Sequence, residues 1–310
     1  MKVLVIQQRS GIGDMVILLP YIHSISKKFN TPVSILAKES SKAVDLFAED
    51  DHVDEVITLD KEKDGLKGIF YLSKTLKKRK FDKVFILNSS MRYSLVARLS
   101  NIKSIYQYPL SLIKKDNMVN TAKVFTERLI DKEISTEPRL KIQGSKENFD
   151  KNFKHICLGV SASGLTKRWD IRNYIKLSEE LTKLCKCKFY IAVGPNDLEL
   201  IKEFKNSELN FVFESFENLS IKQTLSKIKN CDCYIGNDTG FAHISVALKV
   251  KSLVLFVDTP IKVYGRYAPS LMSTVEPVGE KNSTVHNTLG KDSISFDEVL
   301  TKAKKILNLN

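Results

Sequence analysis

Short apolar runs alternate with longer segments of helical periodicity along the whole chain. In the first half, the runs predict strands, each followed by a helix in which apolar residues recur three or four positions apart. The predicted strands are 3–6, 33–36, 53–59 and 83–87, and the predicted helices are 15–29, 40–48, 65–78 and 92–99. Because such alternation is typical of a parallel sheet covered by helices, the first half is predicted to be an α/β domain.

The same alternation restarts after residues 100–140, a less regular stretch in which 117–132 looks helical. The second set of predicted strands is 155–160, 188–193, 211–213, 231–235 and 253–256, and the helices are 170–184, 198–204, 221–229, 241–248 and 296–307. Residues 257–292 are predicted to be mainly loops. We therefore expect an α/β protein of two Rossmann-like domains, 1–145 and 146–310, that face a central cleft. The terminal helix 296–307 either packs within the second domain or packs back on the first domain.

Two glycine-rich turns stand between a predicted strand and a predicted helix. The first is Gly11-Ile12-Gly13-Asp14, and the second is 236–243, with the sequence GNDTGFAH. Unpaired N–H groups and the helix dipole make such a turn an anion site, so both turns predict phosphate binding. The first turn lacks the P-loop pattern, and Val16 occupies the third glycine of the dinucleotide fingerprint. A purely structural role for Asp14, as a helix cap, stays open.

A third loop, at 159–169, follows the first strand of the second half. Its hydroxyl residues Ser161 and Ser163 leave room for phosphate oxygens and can bond them, and Lys167 adds a positive charge. The structural alternative is a surface loop anchored by Trp169, with Asp170 capping the next helix.

The positive charge of the chain is explained first by a solvated, lysine-rich surface, and the functional alternative is attraction to an anionic partner. The 310 residues include 49 Lys and Arg against 36 Asp and Glu, a formal net charge of +13. A nucleotide, an acidic saccharide or the inner leaflet of a membrane would suit this charge. Nucleic acid is not expected, because no basic stretch is interleaved with aromatic residues.

The chain carries no sign of a membrane helix or a secretion signal. No apolar run approaches the roughly 20 residues that a bilayer requires, and the first residues lack a cleavage site. We expect a cytoplasmic protein, with peripheral association at the inner face of the inner membrane as an option. The five cysteines are expected to be reduced and buried, and no metal is expected, although two C-x-C pairs leave a metal site open.

Three motifs in sequence order resemble those of glycosyltransferase family 9, the bacterial heptosyltransferases of lipopolysaccharide core assembly. They are xGDxxLxxP, KxW and DTGxxH, which here comprise Gly13-Asp14 with Leu18 or Leu19 and Pro20, Lys167-Arg168-Trp169, and 238–243. A further similarity is the stretch 81–84 that leads to Asn88-Ser89-Ser90-Met91-Arg92. The resemblance covers nearly the whole chain.

The resemblance implies a GT-B fold, with the acceptor on the first domain and the nucleotide-sugar on the second. The implied reaction is inverting, metal-independent and cofactor-free transfer of heptose from ADP-heptose to a lipopolysaccharide core or other surface glycan. Asp14 is then the general base and Lys167 the second catalytic residue. The implied donor-binding residues are Ser161, Ser163, Lys167, Asp238, Thr239, Gly240 and His243, and the implied acceptor-binding residues are Gly11, Gly13, Asn88, Ser90 and Arg92.

One segment departs from the family pattern. Lys251 stands near an expected proline, and the sequence FVDTP at 256–260 replaces a glycine-containing run. Donor identity is therefore open. The alternatives are a glycosyltransferase of the same fold with another nucleotide-sugar or a capsular acceptor, and a catalytically silent sugar-nucleotide-binding protein.

Overall fold

The computed structural model describes residues 1–59, 65–109, 118–142, 149–194, 197–209, 212–278 and 294–309. The chain divides into two compact units, Met1–Thr136 and Glu137–Asn310. This division lies earlier than the sequence-based boundary of 145, because the residues after Thr136 bond within the second unit. The Leu140 N–H donates to the Ala247 carbonyl at 3.0 Å. The Glu137 carboxylate accepts a hydrogen bond from the Ser270 hydroxyl at 2.6 Å.

The first unit is built on a parallel sheet with the strand order β3-β2-β1-β4-β5. Its strands are β1 (Val3–Gln7), β2 (Val33–Lys38), β3 (Val53–Leu59), β4 (Lys83–Ile86) and β5 (Ser104–Gln107). Its helices are α1 (Ile12–Phe29), α2 (Ala43–Leu46), α3 (Gly65–Arg79), α4 (Met91–Leu99) and α5 (Met118–Ile130). The predicted helix 40–48 is reduced to α2 and a preceding 3-10 turn.

Two helix pairs cover this sheet. Helices α1 and α5 pack together, and the Tyr21 hydroxyl donates to the Val119 carbonyl at 2.9 Å. Helices α3 and α4 form the second pair, and their buried residues share one apolar cluster with Leu4, Ile6 and Val84 of the strands. The chain forms β1, β2 and β3 in one direction across the sheet and then continues with β4 on the other side of β1. Right-handed connections between parallel strands therefore place α1 and α3 in different helix pairs.

The second unit contains a parallel sheet with the strand order β11-β10-β9-β6-β7-β8. Its strands are β6 (Lys154–Gly159), β7 (Cys187–Ile191), β8 (Phe213–Ser215), β9 (Cys233–Asn237), β10 (Lys251–Leu255) and β11 (Met272–Val275). Its helices are α6 (Ile171–Thr182), α7 (Leu198–Lys205), α8 (Ile221–Lys229), α9 (Gly240–Ala247), α10 (Ile261–Tyr264) and α11 (Phe296–Leu307). Both sheets are therefore parallel, as the alternation predicted.

The terminal helix α11 belongs to the second unit. Its buried residues Val299, Ala303 and Leu307 recur every four positions and enter the same cluster as Leu253 and Leu255 of β10. The apolar stripe of α11 is thus buried against the sheet of its own unit.

The five cysteines are free thiols, four of them buried. Among the described residues, no group of three or more His, Cys, Asp or Glu is arranged to hold a metal ion. In the same part of the chain, no helix is both long enough and apolar enough to span a membrane.

Candidate active-site loops

In each unit, the chain reverses its direction across the sheet at the first strand of that unit. Strand β1 lies between β2 and β4, and β6 lies between β7 and β9. Ligands of open α/β sheets bind at such reversals, outside the carboxyl ends of the two strands concerned. The loops after β1 and β4 thus form the candidate site of the first unit, and those after β6 and β9 form that of the second.

All sequence-predicted site residues lie in these four loops or in the first turns of the helices that follow them. Gly11, Gly13 and Asp14 follow β1, and Asn88, Ser90 and Arg92 follow β4. The second unit carries the predicted donor residues, with Ser161, Ser163 and Lys167 after β6 and Asp238, Thr239, Gly240 and His243 after β9. The structure thus groups the predicted acceptor residues in one unit and the predicted donor residues in the other.

The Asp14 carboxylate lies in the first turn of α1, whose N-cap is Gly11. Asp14 is therefore not the capping residue, although a carboxylate in a first turn still interacts favourably with the helix dipole. Its Oδ1 atom is 3.5 Å from the Arg9 guanidinium, and its side chain is 17% exposed. A Cβ atom on Gly11 would lie 2.9 Å from Asp14 Oδ2. Glycine at this position thus leaves room for the carboxylate.

The loop after β4 is shaped by its own side chains. The Ser90 N–H donates to Asn88 Oδ1 at 2.8 Å, and Gln107 donates to the Ser90 carbonyl at 2.9 Å. Ser90 is the N-cap of α4, and Arg92 lies in its first turn. The Asn88 Nδ2 atom is buried and has no hydrogen-bond partner among the described residues. Asn88 therefore orders the turn with its oxygen, and its buried amide nitrogen donates to none of the described residues.

The residues on either side of Lys167 make hydrogen bonds to side chains that are distant in sequence. The Thr166 hydroxyl donates to Asp258 Oδ2 at 2.6 Å, and the Arg168 guanidinium pairs with Asp197 at 2.6 Å. The Trp169 N–H donates to Asn237 Oδ1 at 3.0 Å. The Lys167 ammonium instead donates to the exposed Ser163 hydroxyl at 3.3 Å. The loop therefore fixes the backbone of Lys167 and leaves its charge at the surface.

Ser161 and Ser163 occupy different environments. Ser161 is buried, and its hydroxyl donates to the Ala192 carbonyl at 3.4 Å. Ser163 is exposed beside the Lys167 ammonium. Ser163 is therefore the more accessible of the two predicted donor-binding hydroxyls.

The DTGxxH motif forms an internal network. His243 is buried, with Nδ1 2.7 Å from the Tyr267 hydroxyl and Nε2 3.1 Å from Asp238 Oδ1. Burial, and then the charge of Asp238, raise the pKa of Tyr267 well above its usual value. The neutral Tyr267 hydroxyl can then donate a hydrogen bond to His243 Nδ1. His243 and Asp238 thus partner each other behind Thr239, the N-cap of α9.

Asn237 is a site residue that the sequence analysis missed. It ends β9, is fully buried, and donates through Nδ2 to the Val160 carbonyl at 3.0 Å while it accepts from Trp169. These bonds join the two loops of the second unit. The signal in the sequence was a polar residue at the end of an apolar strand, directly before the motif.

Two glycines allow the strands below these loops to approach closely. Gly159 and Gly236 are paired across β6 and β9. A Cβ atom on Gly236 would lie 2.5 Å from the Gly159 Cα, and one on Gly159 would lie 1.8 Å from the Tyr234 hydroxyl. No side chain fits at either position, so both glycines are required for the loops to meet.

Asp258 is the second residue that the sequence analysis missed. It lies in the segment 256–260 that departs from the family pattern, and it is fully buried. Its bond from Thr166 connects the loop after β10 to the Lys167 loop. The departing segment therefore contributes directly to the support of Lys167.

The chain is similar to known proteins in sequence and in fold. Residues 69–291 match the sequence model described as glycosyltransferase family 9 (heptosyltransferase). A relative, lipooligosaccharide heptosyltransferase 2 of Campylobacter jejuni subsp. jejuni serotype O:6, is 27% identical over 259 residues, which are 80% of this chain and 79% of the relative.

Solved structures similar to this chain include two from E. coli. The structure of ADP-heptose lps heptosyltransferase II has a TM-score of 0.78 at 17% identity and covers 99% of both chains. The structure of heptosyltransferase WaaC with ADP has a TM-score of 0.74 at 13% identity and covers 99% of this chain and 100% of that one. At these identities the similarity establishes the fold, which is the GT-B type with two parallel-sheet α/β domains.

Proposed function

Because the chain belongs to glycosyltransferase family 9, we propose that it transfers a heptose from ADP-heptose to a lipopolysaccharide core or a related surface glycan. The observation that carries this proposal is the family match over residues 69–291. The name of the Campylobacter relative, a lipooligosaccharide heptosyltransferase, supports heptose as the sugar. The ADP in the WaaC structure supports the nucleotide.

The second unit would bind the donor. The first N–H groups of α9, behind Thr239, lack intrahelical acceptors and favour a diphosphate. Lys167 would add a charge-assisted hydrogen bond to the same group. As the bond between the anomeric carbon and the diphosphate breaks, negative charge grows on the leaving ADP. Preorganised donors of this kind stabilise that charge without a metal or a cofactor.

The first unit would bind and activate the acceptor. An acceptor hydroxyl attacks the anomeric carbon, its proton passes to the Asp14 carboxylate, and ADP departs, which inverts the configuration at that carbon. Arg9, at 3.5 Å, would orient the carboxylate. The Asn88 amide, whose nitrogen donates to none of the described residues, and the guanidinium of Arg92 suit an acceptor that carries hydroxyls and anionic groups.

We further propose that the chain works in the cytoplasm, with peripheral association at the inner face of the inner membrane. The net charge of +13 supports attraction to an anionic leaflet. A lipid-linked acceptor would lie in that leaflet.

The proposal is tested by product analysis with purified protein. ADP-heptose, ADP-glucose, UDP-glucose and GDP-mannose are each offered with a heptose-free lipopolysaccharide core, and the glycan products are identified by mass spectrometry. We expect transfer from ADP-heptose and at least about tenfold lower kcat/KM for the other donors, equivalent to about 1.4 kcal/mol.

The second candidate is transfer from another nucleotide-sugar, and the segment around Asp258 is the observation that favours it. Efficient transfer from one of the other donors, with none from ADP-heptose, would establish that candidate instead. Nucleotide binding without turnover of any donor would indicate a silent binding protein.

A further inference from the structure

The outer faces of α3 and α4 expose an unusual number of large apolar side chains. They are Leu66, Phe70 and Tyr71 on α3 and Met91, Leu95 and Leu99 on α4. Leu66 is 77% exposed, Phe70 69% and Met91 72%. Single exposed apolar residues are ordinary on protein surfaces, whereas a concentration on two neighbouring helices marks an interaction surface.

The two helices present these residues together because they pack side by side. The Ser73 hydroxyl of α3 donates to the Val96 carbonyl of α4 at 3.4 Å, and Ser100 donates to the Ser73 carbonyl at 3.2 Å. The inner sides of both helices, which include Leu72 and Val96, are buried on the sheet. The core is therefore already filled, and the outer apolar residues take no part in it.

All charged side chains of α3 and α4 themselves are basic. Helix α3 exposes Lys67, Lys74, Lys77 and Lys78, and α4 exposes Arg98. Neither helix contains an Asp or Glu. At 100° per residue, Leu66, Phe70 and the four lysines of α3 fall within one sector of about 120°. Apolar and cationic side chains thus share one face.

We propose that this face of α3 and α4 docks the protein on an anionic lipid surface. Leu66 and Phe70 would enter the boundary between headgroups and acyl chains, and the lysines would lie at the phosphates. A second copy of the chain is a poor occupant, because a symmetric interface would set the lysines of α3 against each other, and neither α3 nor α4 offers an acidic partner.

The position of α4 connects this surface to the acceptor. Ser90 is the N-cap of α4, and Met91 is its first residue, directly beside the predicted acceptor residues Ser90 and Arg92. A docked α4 would hold that loop at the membrane surface, where a lipid-linked acceptor is found. This last step rests on the proposed function, whereas the docking itself does not.

The test is vesicle co-sedimentation of the full chain with phosphatidylcholine alone and with added phosphatidylglycerol. The test variant on α3 carries Phe70→Ser, Lys74→Gln and Lys77→Gln. The matched control on α7 carries Leu198→Ser, Lys202→Gln and Lys205→Gln, which removes the same charge and one exposed apolar residue from the second unit.

We expect the wild type to bind the anionic vesicles and to bind neutral ones far more weakly. Each lysine near an anionic leaflet raises the binding constant about fivefold, and the α3 variant lacks two lysines. Its binding constant for anionic vesicles should therefore be at least about twentyfold lower. The α7 variant should stay within about twofold of the wild type.

Equal losses in the two variants, or no binding by the wild type, would refute the docking surface. Loss of a dimer in the α3 variant, seen by size-exclusion chromatography without vesicle binding, would show instead that a second copy covers the face. Transfer to a water-soluble, deacylated acceptor separates the two proposals. Vesicle binding without any transfer would leave the docking intact and refute the proposed function.

Discussion

Lys167 is held by its neighbours, so its substitution should affect ligand binding more than folding. Thr166, Arg168 and Trp169 keep their partners Asp258, Asp197 and Asn237 when the Lys167 side chain is shortened. We expect Lys167→Ala to weaken ADP binding about tenfold or more, because a charge-assisted hydrogen bond is lost. Isothermal titration calorimetry measures this, with Lys183→Ala on the surface of the same unit as the control. Equal affinity in all three proteins would remove Lys167 from the donor site.

Asp14 should be dispensable for donor binding and required for turnover. We expect Asp14→Asn to lower kcat by about 10²–10⁴, the usual contribution of a general base, with ADP affinity within about twofold of the wild type. Asp45→Asn, at an exposed position of α2, is the control. Turnover above about a tenth of the wild-type value would contradict the assignment. A fall in Tm with normal turnover would assign the carboxylate to the dipole of α1.

The two site residues that the sequence analysis missed make their hydrogen bonds to residues far away in the sequence. The motif residues Asp238 and Gly240 were recognised because local spacing marks them. Asn237 and Asp258 act through Val160, Trp169 and Thr166, which are far away in sequence and adjacent only after β6, β9 and β10 pair. A single sequence contains no record of those contacts.

At the scale of elements, burial decided what could be predicted. The central strands β1, β6 and β9 each contain a buried apolar run of three or more residues and were all predicted. The edge strands β5 and β11 were not, because each has four residues, of which two are polar. Edge strands bury less apolar surface, so their sequences resemble loops.

A histidine cluster beside α1 should make the first unit sensitive to acid. His23 Nε2 lies 2.7 Å from Asp50 Oδ2, and the His52 ring lies beside that of His23. Burial and then the charge of His23 lower the pKa of His52. Burial alone would raise the pKa of Asp50, but the hydrogen bond and charge of His23, with the His52 N–H, lower it.

Both shifts destabilise the folded state in acid, in different pH windows. Below about pH 6.5 the unfolded chain binds a proton at His52 more readily than the folded chain does, so the unfolding free energy falls. The contribution of Asp50 is fully present above its ordinary pKa and is lost as pH falls through its lowered folded pKa. Urea denaturation of wild type and His52→Gln from pH 7 to pH 5 tests the first part. The variant should show the shallower decline, and parallel declines would exclude His52 as the cause.

At the scale of the whole molecule, the proposed function assigns acceptor binding to the first unit and donor binding to the second. The connection around Thr136-Glu137-Pro138 was recognised in the sequence, but the domain boundary was set later in the chain. The residues just after it contain few apolar positions, and they join the second unit through bonds to Ala247, Ser270 and Lys249. Hydrogen bonds of this kind leave no periodic pattern, so the boundary could be located only approximately.

Because the proposal places the nucleotide on the second unit alone, we expect ADP to slow hydrogen exchange only in that unit. At 100 times its Kd, ADP should raise the unfolding free energy by about 2.7 kcal/mol, and UDP, GDP and CMP should raise it less at the same concentration. Hydrogen exchange with and without ADP then locates the effect. Slower exchange is expected in the loops after β6 and β9, around Lys167 and Gly240, where backbone N–H groups would bind the diphosphate. Protection of Gly11–Asp14 instead would exchange the roles of the two units, and Asp14 would then face a phosphate that it repels, so it could not be the base.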